Sequence, residues 1–268
     1  MHPVIWAEQA LDYAPCRYGR SRLLFRGPKR PLKQPFVAFL GGSETYGKFV
    51  QTPFPNLLED QIGKTCVNFG SHNSGLDAVL QDESLLTICE KADVTVIQAM
   101  SAANISNRYY AVHPRRNDRF LQASPILENL FPELDFIDFS FTRHLLARLC
   151  SVSPRRFKLV VDTLQETWVS RMRLVASQLG GRLIVLHVHG AVDARQGIET
   201  EPFLVSRAMS DQLRDDVLSV AHVAVSGAAR ADGLQNMHYL PHEQEAARQM
   251  PGALVHREIA QALADILA

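Results

Sequence analysis

The chain has 268 residues, 28 basic and 28 acidic side chains, and no formal net charge. With 46% hydrophobic and 21% charged residues, it has enough apolar surface to close a sizeable core, which excludes wholesale disorder. The balanced charge argues against a dedicated nucleic-acid binder. Residues 1–35 read as an irregular wrap: Arg17, Arg20, Arg22, Arg26, Lys29, Arg30 and Lys33 crowd it, and its glycines and prolines break any long helix. FVAFL (36–40) is a short buried strand, KTCVNFG (64–70) a second and DVTVIQAM (93–100) a third, with helices predicted near 56–62 and over 75–90. A polar loop spans 101–123. Helices are expected over 124–131, 139–150 and 155–179, then strand RLIVLHVH (182–189), helix 204–216, strand VLSVAHVAV (217–225) and a last helix over 253–267.

Short apolar strands alternating with helices predict a three-layer α/β/α fold around a parallel sheet of about five strands. The whole chain, 1–268, is expected to be one domain, with 106–180 as a mostly helical insertion or cap. No apolar run approaches the roughly 20 residues of a spanning helix, and the first residues lack a leader pattern, so a cytoplasmic protein without a membrane partner is expected. Cys16, Cys66, Cys89 and Cys150 are irregularly spaced and suggest neither a disulfide framework nor a zinc knuckle; Cys66 and Cys89 read as core thiols.

In a parallel sheet, function collects at the carboxyl ends of the strands. Three small polar turns stand there: Gly41-Gly42-Ser43-Glu44-Thr45-Tyr46-Gly47, Gly70-Ser71-His72-Asn73-Ser74-Gly75 and Ser101-Ala102-Ala103-Asn104. A serine between a strand end and a helix start suits nucleophilic work, because the glycines allow the tight turn and nearby backbone N–H groups can face a developing oxyanion. An N-cap serine or a phosphate-binding turn uses the same residues.

With these three turns and TPFPNLLEDQIG (52–63), residues 36–105 resemble the SGNH (GDSL-type) hydrolase superfamily of serine esterases and acyl hydrolases on a flavodoxin-like sheet. CRYGRSRLLFRGPKR, GGSETYGKFV and VHPRRNDRF also resemble an alphaproteobacterial family of unknown function. The hydrolase resemblance implies Ser43 as nucleophile, with the Ser43 and Asn73 backbone N–H groups and the Asn104 side chain (Asn107 as fallback) as oxyanion donors. It also implies a histidine base just before the last helix. Asp232-Gly233-Leu234-Gln235 has glutamine at that place, and aligning the last helix puts Met250 near the usual catalytic position. His256, at the start of that helix, and His242 are the substitute bases, with His238 behind them; Asp232 and Glu243 are the candidate orienting acids.

Loop 107–120 follows directly on Asn104. Its Arg108, His113, Arg115, Arg116 and Arg119 suit a carboxylate, sulfate or phosphate, and Tyr109, Tyr110 and Phe120 could stack on a sugar or base. His187 and His189 share one strand face, but no acidic or cysteine partner stands at ligand spacing, so no metal and no other cofactor are expected. His144 reads as half-buried and His222 as buried. The expected function is ester or acyl hydrolysis or transfer on a small-molecule or carbohydrate-type anionic substrate, without nucleic acid. The alternative is a catalytically degenerate module that binds an anionic glycan or nucleotide. Sulfate or phosphate transfer ranks last, since no P-loop lysine follows Gly41-Gly42.

Overall fold

The structure is a computed structural model that describes residues 11–190 and 202–268. Of the irregular segment 1–35, residues 1–10 lie outside the described residues. Five strands form one parallel sheet: β1 (Phe36–Gly41), β2 (Thr65–Gly70), β3 (Val94–Gln98), β6 (Leu183–His189) and β7 (Ser219–Ala224). Their order is β2-β1-β3-β6-β7, the flavodoxin-like order, with its switch point between β1 and β3. The register is continuous, with Phe39 beside Asn68 and Val96, and His187 beside His222.

Alternation along the strands sorts side chains into two layers. Val37, Phe39, Val96, Ile184 and Leu186 face α2 (Phe54–Ile62) and α11 (Ala253–Leu267), where Phe54, Leu58, Val255, Ile259 and Leu263 complete one core. Ala38, Leu40, Val67, Ile97, Leu183 and Val185 belong to the larger core on the other face. That core includes α3 (Leu76–Leu80), α4 (Glu83–Cys89), α6 (Thr142–Val152) and the long α7 (Pro154–Gln178). Strands covered on both sides need no polar face, which is why they read as unbroken apolar runs. On α7, Trp168 is fully buried and its indole N–H donates to the Met100 carbonyl at 2.8 Å, tying the helix to the end of β3. Cys66 and Cys89 are buried and free of disulfides.

Three expectations change. The helix predicted over 75–90 is two helices, because Asp82 leaves the helical path and caps α4 by accepting the Leu85 N–H at 3.0 Å. The loop 101–123 contains an antiparallel hairpin, β4 (Tyr110–Val112) and β5 (Phe120–Ala123). The helix predicted over 204–216 is the short α8 (Arg207–Asp211). Within 106–180 the chain runs through this hairpin, α5 (Pro125–Leu130), α6 and α7. Among the described residues no helix is long and apolar enough to cross a membrane.

Candidate active site

Ser43 opens the one-turn helix α1 (Ser43–Tyr46) directly behind β1. The turn lies so close to β2 that a Cβ on Gly70 would come within 2.2 Å of the Tyr46 nitrogen, so only glycine fits there. Asn68 reinforces the approach, its side chain donating to the Thr45 carbonyl at 2.8 Å and accepting the Gly70 N–H at 2.8 Å. Below the turn, the buried Arg26 guanidinium donates to the carbonyls of Tyr46, Gly47, Val50 and Gln51 at 2.9–3.3 Å. One basic residue of the N-terminal wrap thus holds the backbone of the candidate site rather than facing a ligand.

The group beside the serine comes from the second turn. His72 Nδ1 lies 2.8 Å from Ser43 Oγ, and the Asn73 N–H donates to the same oxygen at 3.0 Å. Asn73 reaches this position with φ 58, a left-handed conformation that asparagine tolerates better than other side chains with a Cβ. Partial desolvation, then the cations Lys48 and Arg116, push the imidazole down to about 4, with Glu243 pulling weakly the other way. His72 is therefore neutral throughout the physiological range, and its lone pair faces Ser43 in the tautomer that carries its hydrogen on Nε2. Its Nε2 lies 3.5 Å from Lys48 Nζ, so the position that a carboxylate fills in a triad holds an amine here.

The cleft beside Ser43 has a volume of about 570 Å³, and residues at successive carboxyl ends line it: Ser43 and Glu44 after β1, Asn73 and Ser74 after β2, Gln98 to Ser101 around the end of β3; His72, an exposed residue, stands outside this lining. That volume suits a small-molecule ligand. Asn104 also lines it. The Asn104 Oδ1 accepts the Thr142 hydroxyl at 2.7 Å, which leaves Nδ2 as the group free to donate toward the cleft. No described residue accepts the Ser43 N–H, as expected for the first turn of a helix. Met250 and Pro251 form part of the wall, so the chain segment that would bring a base from the last helix brings a thioether.

His256 is not brought to the site. It is fully buried in the α2–α11 core, stacked on Phe54 at 5.8 Å, and its Nδ1 accepts the Phe54 N–H at 3.1 Å. Burial pushes it down to about 3. It is a packing residue on the apolar face of α11. His242 is exposed in a short 3₁₀ turn, and neither residue lines the cleft.

The loop after Asn104 also divides differently from its sequence appearance. Arg108 donates to Thr163 Oγ1 at 2.7 Å and lies over Tyr109. His113 Nδ1 accepts the N–H groups of Arg115 and Arg116, closing a turn. Tyr109, Tyr110 and Phe120 are buried in the core instead of forming a stacking platform, with the Tyr110 hydroxyl donating to the Ala103 carbonyl at 2.6 Å. Arg115, Arg116 and Arg119 are exposed. Arg119 lies over Phe141, which lines the cleft, as does Asp118. This puts Arg119 at the rim. His144 is exposed and lines the cleft, rather than being half-buried.

Comparison with family patterns decides the membership, because one pattern matches residues 1–268, the whole chain. The chain belongs to DUF6473. That family is described as a domain of unknown function. No curated protein matches the sequence. Among solved structures, the crystal structure of the lipase Lip_vut3 from a goat rumen metagenome is similar, with TM-score 0.47 and 13% identity, covering 86% of this chain and 96% of that chain. At that identity and score the likeness carries no functional argument.

Two residues that hold this DUF6473 site together, Arg26 and Asn117, were invisible as site residues in the sequence. Asn117 is fully buried in the Arg-rich loop; its Oδ1 accepts the Gly75 and Ala78 N–H groups at 2.7 and 3.0 Å, and its Nδ2 donates to the His113 carbonyl at 2.8 Å. The loop is thereby pinned to the turn that carries His72 and Asn73.

The buried neutral His256 predicts an acid-labile fold. Its folded value lies below the ordinary 6.5, so the unfolded chain binds more protons as the pH falls through 6.5. Its stability contribution is full above that pH and lost below it, with a slope of up to about 1.4 kcal/mol per pH unit. Burial pushes Glu44 and Asp118 upward, and these carboxyls soften the slope at its acid end. Urea unfolding at pH 7.5 and 5.5 should show lower stability at 5.5; equal values would contradict the burial of this ring in the neutral form.

Proposed function

We propose that this chain is a serine hydrolase or acyltransferase of the SGNH type, acting on an ester that carries an anionic group, of carbohydrate or other small-molecule kind. The observation that carries this reading is the 2.8 Å contact between Ser43 Oγ and His72 Nδ1 beside a cleft lined by Ser43, Asn73 and Asn104. In the reaction, Ser43 Oγ attacks the carbonyl carbon while Nδ1 takes its proton. The oxygen that becomes negative faces the Ser43 N–H, the Asn73 N–H and Asn104 Nδ2. The imidazolium then returns the proton to the departing alkoxide, and the acyl group stays on Ser43 until water, or an acceptor hydroxyl, removes it. Glu44 and Asp118 stand in the cleft wall, so the anionic part of the substrate belongs at the rim, on the side of the loop that carries Arg115, Arg116 and Arg119.

A second reading has its own observation. A cation at His72 Nε2 opposes formation of the imidazolium, whereas a triad carboxylate stabilises it, and Met250 occupies the wall where a second histidine would stand. A site so built also suits a module that holds an anionic glycan or nucleotide without cleaving it.

Turnover of a short-chain aryl ester separates the two. Ser43→Ala should abolish it, and Asn104→Ala should lower it roughly a hundredfold, the worth of one oxyanion donor at about 3 kcal/mol. Background turnover in the wild type, with glycan binding that survives Ser43→Ala and collapses in Arg115→Ala and Arg116→Ala, would establish the second reading instead.

A further inference from the structure

The carboxyl edge of the sheet carries a second cluster, two strands beyond β1. His187 and His189 alternate onto one face of β6, and His222 stands on β7 in register with His187. One ligand nitrogen from each of the three lies within 4.8 Å of the others. His189 Nε2 and His222 Nδ1 are 3.2 Å apart. In a tetrahedral zinc site with Zn–N bonds of about 2.0–2.1 Å, neighbouring nitrogens stand about 3.3 Å apart, so this pair already has the spacing of two ligands on one ion.

The outer nitrogens are held as well. His222 Nε2 is bonded to Asp211 Oδ1 at 2.9 Å, and His187 Nδ1 to Ser210 Oγ at 2.7 Å. Both partners sit at the end of α8, over the same face of the sheet. Asp211 is itself fixed by Arg214 at 2.7 Å and approached by Arg207 at 3.8 Å. A carboxylate or hydroxyl on the far nitrogen sets both tautomer and ring direction, which is how metal-bound histidines are oriented. His222 is thereby presented through Nδ1, and His187 is left with Nε2. The rings also stack, His187 on His189 at 4.1 Å and His189 on His222 at 5.5 Å, with only His187 fully buried, so three imidazoles, two of them steered from behind, stand together at the carboxyl edge.

We propose that His187, His189 and His222 form a binding site for a divalent transition metal of the zinc type, with Asp211 and Ser210 as orienting partners and a fourth position open to water or substrate. Sequence spacing conceals the site because the third ligand comes from the next strand, and only the β6–β7 register brings it beside the HxH pair.

The test uses the full-length, untagged chain, stripped with a chelator and titrated with Zn²⁺, then with Co²⁺ as a spectroscopic probe. One Zn²⁺ per chain and a tetrahedral Co²⁺ absorption spectrum are expected. His189→Gln and His222→Gln should each weaken binding at least about 100-fold, and Asp211→Asn about 10–100-fold, the usual cost of losing an orienting partner. His113→Gln, in the Arg-rich loop, should bind as the wild type does. Should a ligand variant fail to fold by circular dichroism, the wild-type cobalt spectrum still decides. Absence of that spectrum, or zinc affinity unchanged in both folded ligand variants, would overturn the proposal.

Discussion

His72→Ala should lower ester turnover by roughly two to four orders of magnitude, the range over which a positioned general base contributes. No other imidazole is bonded to Ser43 Oγ among the described residues, and His242→Ala should leave turnover unchanged. The pH profile gives an independent reading. Because His72 is pushed down to about 4, kcat/KM should rise with pH through the region near 4 and then hold level to neutrality. A His72→Gln variant should lose both the activity and that acid limb. An acid limb near 6.5 would contradict the partial desolvation of the ring and its position beside Lys48 and Arg116. The low value also has a cost: a weakly basic imidazole takes the serine proton less readily, so this dyad should turn over more slowly than a triad with a carboxylate behind its histidine.

Asn117→Ala should destabilise the fold by about 3 kcal/mol. The substitution strands the Gly75 N–H and the His113 carbonyl and takes one of two acceptors from the Ala78 N–H, which keeps the Gly75 carbonyl at 3.2 Å; each buried polar group left without a partner costs about 1–3 kcal/mol. Asn117→Asp separates the parts of this effect. It keeps the acceptor for both N–H groups and loses only the donor to His113, so it should cost less than the alanine variant. The damage should also reach the chemistry, because Gly75 follows the turn that places His72 and the Asn73 N–H. Urea unfolding of the three proteins checks the order wild type, aspartate, alanine; an alanine variant as stable as wild type would show that Asn117 does not hold the loop.

The parallel sheet was legible because each strand is apolar on both faces, and the alternation of strands with helices is itself the topology. Ser43, Asn73 and Asn104 were legible as a group because they stand in the turns after three successive strands, and the structure lines one cleft with them. His72 was passed over although it adjoins Asn73. The resemblance directed the search for a base toward the last helix, whereas proximity to Ser43 here depends on the left-handed backbone at Asn73, which no spacing rule reveals. His256 misled for a related reason: a histidine at the start of an amphipathic helix looks the same in sequence whether it faces a cleft or, as here, stacks on Phe54. Tyr109, Tyr110 and Phe120 looked like a binding surface because the β4–β5 hairpin was not expected, and with it the burial of those rings. The third histidine of the β6–β7 cluster lies on a neighbouring strand, a relation that only sheet register supplies.

The most direct measurement is covalent labelling of the purified protein with a fluorophosphonate probe, with the modified peptide located by mass spectrometry. An activated Ser43 predicts one adduct, on Ser43, strongly reduced in His72→Ala and absent in Ser43→Ala. A folded wild-type protein that takes no label, or labels equally well without His72, would contradict nucleophilic catalysis by the Ser43–His72 pair.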